Sequence, residues 1–150
     1  MSKKVILIMG LPGSGKTTLA EHLQKKLEDK GYITEWYNAD TIRRNLDDWD
    51  FSYEGRLRQA TRMRELADRH TTGYIILDLV APLPEFREII NPNYIIWMDT
   101  IVAGRFEDTN KLFIPPTDYH FRVTEQNAEH WSSKISNEIN TNFIELITLY

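Results

Sequence analysis

Apolar residues fall in short blocks along this chain, and the spacing inside successive blocks alternates between two kinds. Val5-Ile6-Leu7-Ile8-Met9 is continuously apolar and β-rich, as expected of a strand covered on both faces. The period then changes: Leu19, Ala20, Leu23 and Leu27 recur at helical spacing until Gly31 offers a C-terminal stop. Tyr32 to Tyr37 reads as a second strand. A short helix Thr41 to Leu46 follows, and then a helix of about 15 to 18 residues that starts near Ser52 and ends by His70. Tyr74-Ile75-Ile76-Leu77 makes a third strand, running on toward Val80, and Pro82 and Pro84 open a short helix through Phe86 and Ile90. Tyr94 to Met98 is a fourth strand. Asp108 to Tyr119, with Pro115-Pro116, reads as a loop, His120 to Val123 as a short fifth strand, and Ala128 to about Ile144 as a closing helix.

Strands alternating with helices imply a parallel sheet with right-handed crossovers. The expectation is a three-layer α/β domain with a mostly parallel central sheet of about five strands. No repeat, low-complexity tract or linker interrupts it, so residues 1–150 read as a single domain. One site is expected, where the strands' carboxyl ends meet the loops.

Composition narrows the class. A chain of 150 residues without cysteine has no disulfide, thiolate metal site or cysteine nucleophile, which suits a reducing cytoplasm. A net charge of −4 and a pI near 5.6 argue against a whole-surface nucleic-acid binder and leave room for a local basic cleft. The basic start Met1-Ser2-Lys3-Lys4 with the run Val5 to Met9 imitates a secretion signal, but the run is too short and Gly10, Gly13, Gly15 and Lys16 break it. No segment approaches the roughly 20 apolar residues of a membrane span. The expectation is a cytoplasmic, full-length, unprocessed protein. The histidines at 22, 70, 120 and 130 show no spacing that suggests a metal.

The most specific chemistry lies at the first strand's end. Gly10-Leu11-Pro12-Gly13-Ser14-Gly15-Lys16-Thr17 matches G-x-x-x-x-G-K-S/T in full, with Thr18 beside it, and has a buried strand before it and an amphipathic helix after it. Glycines let successive backbone N–H groups curl around phosphate, Lys16 reaches the β- and γ-phosphates, and the Thr17 hydroxyl suits magnesium. The helix that begins there aims its positive dipole end at the same phosphates. The fold expected is therefore that of the P-loop NTPases and kinases, binding a nucleoside triphosphate with Mg2+. Asn110-Lys111-Leu112-Phe113 lacks the aspartate of a guanine-reading motif, and 150 residues do not hold a motor's coupling domains, so a small phosphotransferase leads.

A kinase needs a carboxylate to take the acceptor's proton, and Asp40, between the second strand and a short helix, is placed for it. Helix capping is an equal reading of the same position. The segment Asn38-Ala39-Asp40-Thr41-Ile42-Arg43, continuing through Leu46 and Phe51-Ser52 to Arg56, resembles the adenylylsulfate kinases, whose pattern is D-G-D-N-V-R, then G-L, then G-F-S-x-x-D-R-x-E-N. Met98-Asp99-Thr100 is similar to that family's V-D-T, and Asp108 to Phe113 looks like its R-D-x-K-G-L-Y. The resemblance implies transfer of the ATP γ-phosphate to the 3′-hydroxyl of adenylylsulfate, within sulfate assimilation. It implies Asp40 as catalytic carboxylate beside Lys16, Arg43 and Arg56 as substrate-binding arginines, and Phe51 packed on the substrate's adenine. Gln59 stands where the family has a substrate-contacting asparagine, and a homodimer is the family's lean.

Helical geometry bears on Arg56 independently. At about 100° per residue it shares a face with Ala60, Met63 and Ala67, while Arg58, Arg62 and Arg69 fall opposite, as a solvated face would. A cation on the inward stripe wants an anion; a structural salt bridge is the competing reading. The chain departs from the family at Asn38, where an aspartate is expected, at Ala81 for a serine, and at Glu107 for an arginine, with Arg105 close but out of register. Asp78, late in the third strand, is a second metal candidate, against a strand-end residue bonded to nearby backbone. Trp36 and Trp97 read as core, Trp49 as a loop aromatic, and Phe143 to Tyr150 as a segment that packs on the domain or on a second subunit. Two rivals stand beside the adenylylsulfate reading: a polynucleotide 5′-hydroxyl or nucleoside kinase, the one reading that brings in nucleic acid, and a catalytically silent nucleotide-binding module.

Overall fold

The structure, a computed structural model, describes residues 2–104 and 107–148, with side chains as far as 139. Five strands form one parallel sheet: β1 (Lys4–Gly10), β2 (Thr34–Asn38), β3 (Tyr74–Asp78), β4 (Tyr94–Met98) and β5 (Phe121–Val123), in the order β2-β3-β1-β4-β5. Around it lie α1 (Lys16–Asp29), α2 (Ala39–Leu46), α3 (Tyr53–Asp68), α4 (Pro84–Ile90), α5 (Glu107–Leu112) and α6 (Ala128–Thr148).

The continuous apolar run of β1 follows from its central place. Alternate side chains leave opposite faces of a strand, so a strand covered on both sides is apolar at every position. Ile6 and Ile8 enter one core with Leu19, Leu23 and Leu27 of α1 and Ile135 and Ile139 of α6. Val5, Leu7 and Met9 enter a second core with Ala60, Met63 and Ala67 of α3 and Phe86 and Ile90 of α4. The three layers are thus legible in one pentapeptide, and among the described residues no helix is long and apolar enough to cross a membrane.

Several boundaries differ from expectation. β2 starts at Thr34, not Tyr32, because pairing begins where Thr34 meets Tyr74; Tyr32 packs edge-on against the Tyr74 ring at 5.2 Å instead. β3 ends at Asp78: Leu79 donates one more bond to Ile8, after which Ala81 turns the chain at φ 47°. The first half of the expected loop 108–119 is helical, as α5, because no proline occurs before Pro115. The turn before α5 is closed by Asn110, whose amide exchanges hydrogen bonds of 2.7 and 3.0 Å with Gly104. A helix this short shows no apolar period to read. α6 runs past Ile144 to Thr148. Trp36 and Trp97 are half-buried at the core edges, not interior, while Trp49 is exposed, as a loop aromatic should be. The side chains of Phe143 to Tyr150, and Arg105, lie outside the described residues.

Register sets up the site. Ile8 of β1 and Asn38 of β2 both pair with Asp78, so the carboxyl ends of three adjacent strands deliver the glycine loop, an amide and a carboxylate to one edge of the sheet.

Candidate functional site

Residues 10–17 form a loop from the end of β1 to the start of α1. At Gly10 a Cβ would sit 2.7 Å from the Met98 carbonyl, so no larger residue fits where β1 runs tight against β4. Gly15 caps α1 at φ 97°, in the left-handed region, and its carbonyl accepts from Leu19 N–H at 3.1 Å to start the helix. Lys16 Nζ donates to the Leu11 carbonyl across the loop at 3.1 Å, and Ser14 is fully enclosed.

Thr17, Asn38 and Asp78 form a linked set beneath the loop. Thr17 Oγ1 donates to Asp78 Oδ2 at 3.0 Å, and Asn38 Nδ2 donates to the same oxygen at 2.8 Å and to Thr17 Oγ1 at 3.1 Å. Burial pushes the Asp78 carboxyl up from its ordinary value, while the Asn38 amide, the Lys16 charge and the Thr17 hydroxyl oppose that push. Asp78 is therefore bonded to the side chains of Thr17 in α1 and Asn38 at the end of β2. A hydroxyl and a carboxylate beside a phosphate loop are the oxygen donors magnesium takes together with phosphate oxygens and water, so Thr17 and Asp78 fit that ion. Among the described residues no group of three acidic or histidine side chains could hold a metal by itself. His120 accepts from the Ile95 N–H through Nδ1 at 3.0 Å and serves the sheet edge.

Asn38 has a second role. Its Oδ1 accepts from Thr41 N at 3.0 Å and Thr41 Oγ1 at 3.2 Å, capping α2. Asp40 is thus not the cap; it lies exposed in the first turn of α2 and lines a cavity of about 610 Å³ with Lys16, Thr17 and Asp78. An aspartate at 38 would also cap, but it would set a carboxylate against Asp78. The amide makes the same connection as a donor.

Arg43, Phe51, Arg56 and Gln59 line the far side of that cavity. Arg43 is buried at 4% exposure, donates through Nη1 to the carbonyls of Asp48 and Asp50 at 3.0 and 3.1 Å, and lies 4.5 Å from the centroid of the half-exposed Phe51 ring. Arg56 lies 5.4 Å from the same centroid, and donates to the Phe51 carbonyl at 2.9 Å and to Thr109 Oγ1 of α5 at 3.3 Å. Burial lowers the pKa of both guanidinium groups, which Asp48 offsets for Arg43 and Asp108 for Arg56. Gln59 is buried and its amide is engaged at both ends, donating to the Ala39 carbonyl at 3.0 Å and accepting from Arg62 at 2.6 Å. It braces α2 on α3.

Arg58 is exposed, as a solvated face requires, and Arg62 is partly buried, yet both are engaged by one carboxylate. Arg58 forks onto both oxygens of Asp48 at 2.9 and 3.1 Å, and Arg62 adds a bond at 2.8 Å, holding that carboxyl far below its ordinary range. Together they pin the loop 47–52 that carries Phe51. Arg69 stays exposed.

Two parts of the site were only partly readable: the segment Asp108 to Phe113 carried a family resemblance but not its helix, and a second cavity carried no motif. Thr109 and Asp108 reach the cavity from a helix that the proline-rich pattern concealed. A smaller cavity of about 140 Å³ lies between the start of α1 and the β5–α6 loop, with Thr18, Gln126, Asn127 and Trp131 on its wall; these are scattered polar residues and one aromatic with no motif among them.

Comparisons with known proteins bear on the whole arrangement. The family model of adenylylsulphate kinase matches residues 2–96. A probable adenylyl-sulfate kinase of Archaeoglobus fulgidus is 41% identical over 87 residues, covering 56% of this chain and 56% of the relative. One from Pyrococcus abyssi is 36% identical over 107 residues, covering 68% and 60%. The chain spans little more than half the length of these relatives. Among solved structures, the Mycobacterium tuberculosis APS kinase CysC, in complex with AMPPNP and APS, superposes with a TM-score of 0.78 at 18% identity over 93% of this chain and 98% of its own. A shikimate kinase from Acinetobacter baumannii, in complex with shikimate, superposes at 0.63 with 21% identity over 93% and 94%. At such identities the structures establish the three-layer parallel fold.

Proposed function

This chain belongs to the adenylylsulphate kinase family, and on that premise we propose that it transfers the γ-phosphate of ATP to the 3′-hydroxyl of adenylylsulfate. The observation that carries the reading is the placement of Asp40: an exposed carboxylate in the first turn of α2, across one cavity from Lys16 and Thr17, with Arg43, Phe51 and Arg56 on the remaining wall.

Each group then has a part. The loop amides, the start of α1 and Lys16 hold the β- and γ-phosphates. Thr17 and Asp78 would hold Mg2+, which when bound neutralises charge on the phosphate oxygens. The adenine of the acceptor rests against Phe51, and its sulfo-phosphate anion meets Arg43 and Arg56, whose positive charge is already partly desolvated. Asp40 accepts the proton of the 3′-hydroxyl as that oxygen bonds to the γ-phosphorus; the bond from phosphorus to the β–γ bridging oxygen breaks, and ADP leaves. Such a reaction depends on position and charge neutralisation, and this short set supplies both. We further propose a cytoplasmic location, which the reading as an ATP-dependent kinase supports.

The test is an ATP-consumption assay on the purified chain with adenylylsulfate, a 5′-hydroxyl oligonucleotide, common nucleosides and no acceptor in parallel. ADP release that requires adenylylsulfate supports the proposal. Release driven by another acceptor, or ATP binding with no acceptor-dependent turnover, overturns it in favour of one of the two rivals.

A further inference from the structure

The phosphate loop presents N–H groups inward, which requires the carbonyls of the same peptides to point away. Because a peptide unit is planar, holding the Gly13 carbonyl orients the Ser14 N–H, and holding the Ser14 carbonyl orients the Gly15 N–H. Each of these two peptides has a glycine on one side, at φ 86° for Gly13 and 97° for Gly15, where rotation of the peptide costs little. The loop's own sequence therefore leaves the Ser14–Gly15 peptide weakly determined, while the Gly13–Ser14 peptide has one internal tie, from the Ser14 N–H to the Leu11 carbonyl at 3.1 Å.

Two side chains from the other half of the sheet supply the missing constraint. Thr100, two residues beyond the end of β4, donates from Oγ1 to the Ser14 carbonyl at 2.7 Å. Gln126, in the β5–α6 loop, donates from Nε2 to the Gly13 carbonyl at 3.0 Å and lies 3.5 Å from Thr100 Oγ1. The segments that carry them are fastened together by the Asp99 N–H, which donates to the Val123 carbonyl at 2.8 Å. Neighbouring loop carbonyls are occupied from within: Leu11 accepts from Ser14 N and Lys16 Nζ, and Gly15 accepts from Leu19 N. The Gly13 and Ser14 carbonyls take these bonds from outside the loop.

We infer that Thr100 and Gln126 are positioning residues for triphosphate binding: Thr100 holds the Ser14–Gly15 peptide with the Gly15 N–H toward the phosphates, and Gln126 fixes the Gly13–Ser14 peptide, whose N–H closes the loop on the Leu11 carbonyl. Neither touches the reacting atoms; both act through the loop backbone. Gln126 also lines both the large cavity and the smaller one beside Thr18. The inference rests on the reading of residues 10–17 as a triphosphate site and not on the identity of the acceptor.

The experiment titrates ATP and its non-hydrolysable analogue into the parent chain, T100V, T100S and Q126L by calorimetry, and follows acceptor KM in parallel. Thr100→Val keeps the branched shape and removes the donor; the expected loss is about tenfold in triphosphate affinity, the size of one unmade hydrogen bond, with acceptor KM unmoved. Thr100→Ser keeps the hydroxyl and should bind within about twofold of the parent, which a packing role for the methyl group would not produce. Gln126 is exposed, so Q126L keeps the fold and should lose about threefold to tenfold, which carries the test should T100V fail to fold. Parent-like affinity in Q126L, parent-like affinity in a folded T100V, or T100S as weak as T100V overturns the inference while leaving the site reading intact. A parent chain that binds no triphosphate overturns both.

Discussion

Arg87 is a buried cation, 7% exposed, that bonds to backbone carbonyls. Its Nε donates to the Ala81 carbonyl at 2.9 Å, and Nη2 donates to the Pro82 carbonyl at 3.3 Å and to the Ile114 carbonyl. Burial pushes its pKa down to about 10. The guanidinium thereby ties the turn after β3, whose Ala81 and Pro82 line the large cavity, to the chain leaving α5. Replacing it by methionine keeps the stem and removes the fork. The Pro82 carbonyl retains the Ile114 N–H at 2.8 Å, so two acceptors, Ala81 and Ile114, lose these bonds. At about 1–3 kcal/mol for each, less the gain from no longer burying a charge, the net loss should be about 2–4 kcal/mol. For a domain of this size that corresponds to a fall in Tm of about 5–15 °C. Urea unfolding followed by tryptophan fluorescence and circular dichroism measures it. Arg87→Lys keeps the charge without the planar fork and should lose part of the same stability. An R87M midpoint within about 0.5 kcal/mol of the parent, or R87K indistinguishable from it, would refute the view that this guanidinium fastens the cavity wall.

Asp40→Asn should slow turnover by about 10²- to 10⁴-fold with ATP affinity within about twofold of the parent, because an amide cannot take the acceptor's proton; steady-state kinetics beside calorimetry decide it, and unchanged turnover would remove Asp40 from the chemistry. Asn38→Asp keeps the cap of α2 but sets a carboxylate against Asp78, so the variant should melt lower than the parent in chelator and regain more on adding millimolar magnesium; equal shifts in both proteins would count against a cation seat at Thr17 and Asp78. The Asp48 carboxyl, held below its ordinary value first by Arg58 and then by Arg62, contributes stability that is present above the unfolded-state pKa near 3.8 and lost as pH falls toward the lower folded value. Asp48→Asn should lack that component, giving a shallower loss of stability below about pH 4 than the parent in acid titrations followed by circular dichroism.

How much of this was legible in the sequence depends on how local the cause is. Val5 to Met9, the glycine loop and the α1 stripe each declare themselves within a few residues, because periodicity and glycine geometry are local properties. The inward face of Arg56 was legible too, from its phase with Ala60 and Met63. What escaped was decided between segments. Arg58 stays exposed as its helical phase predicts, but its pairing, with Arg62, to Asp48 in the loop before their helix is not written in that phase. Gln59 lines the cavity as a substrate contact would, and its bonds to the Ala39 carbonyl and to Arg62 are visible only once α2 is laid across α3. Whether Asp40 capped α2 depended on Asn38, whose amide also had to reach Asp78, forty residues on at the end of the next strand.

The two sides of the cavity are consequently built by different means. The phosphate side stands on the carboxyl ends of β1, β2 and β3, where ladder register fixes Thr17, Asn38 and Asp78 relative to one another. The acceptor side hangs on the loop 47–52 and on α5, and cations hold it: Arg43 on the carbonyls of Asp48 and Asp50, Arg58 and Arg62 on the Asp48 carboxylate, Arg87 on the turn after β3. Guanidinium groups spent in this way are already ordered and partly stripped of water when a substrate arrives. An anion meeting Arg43 or Arg56 then gains attraction without a second desolvation cost on the protein side, which is preorganisation achieved by using one cation both as brace and as receptor. The arrangement also makes acceptor choice sensitive to residues that never touch the acceptor: exchanging Asp48 or Arg62 would move Phe51 and Arg43 together. Of the departures from the family pattern, Ala81 and Glu107 fall in the turn after β3 and in α5, on this side, whereas Asn38 stands among the strand-borne residues bonded to Thr17 and Asp78.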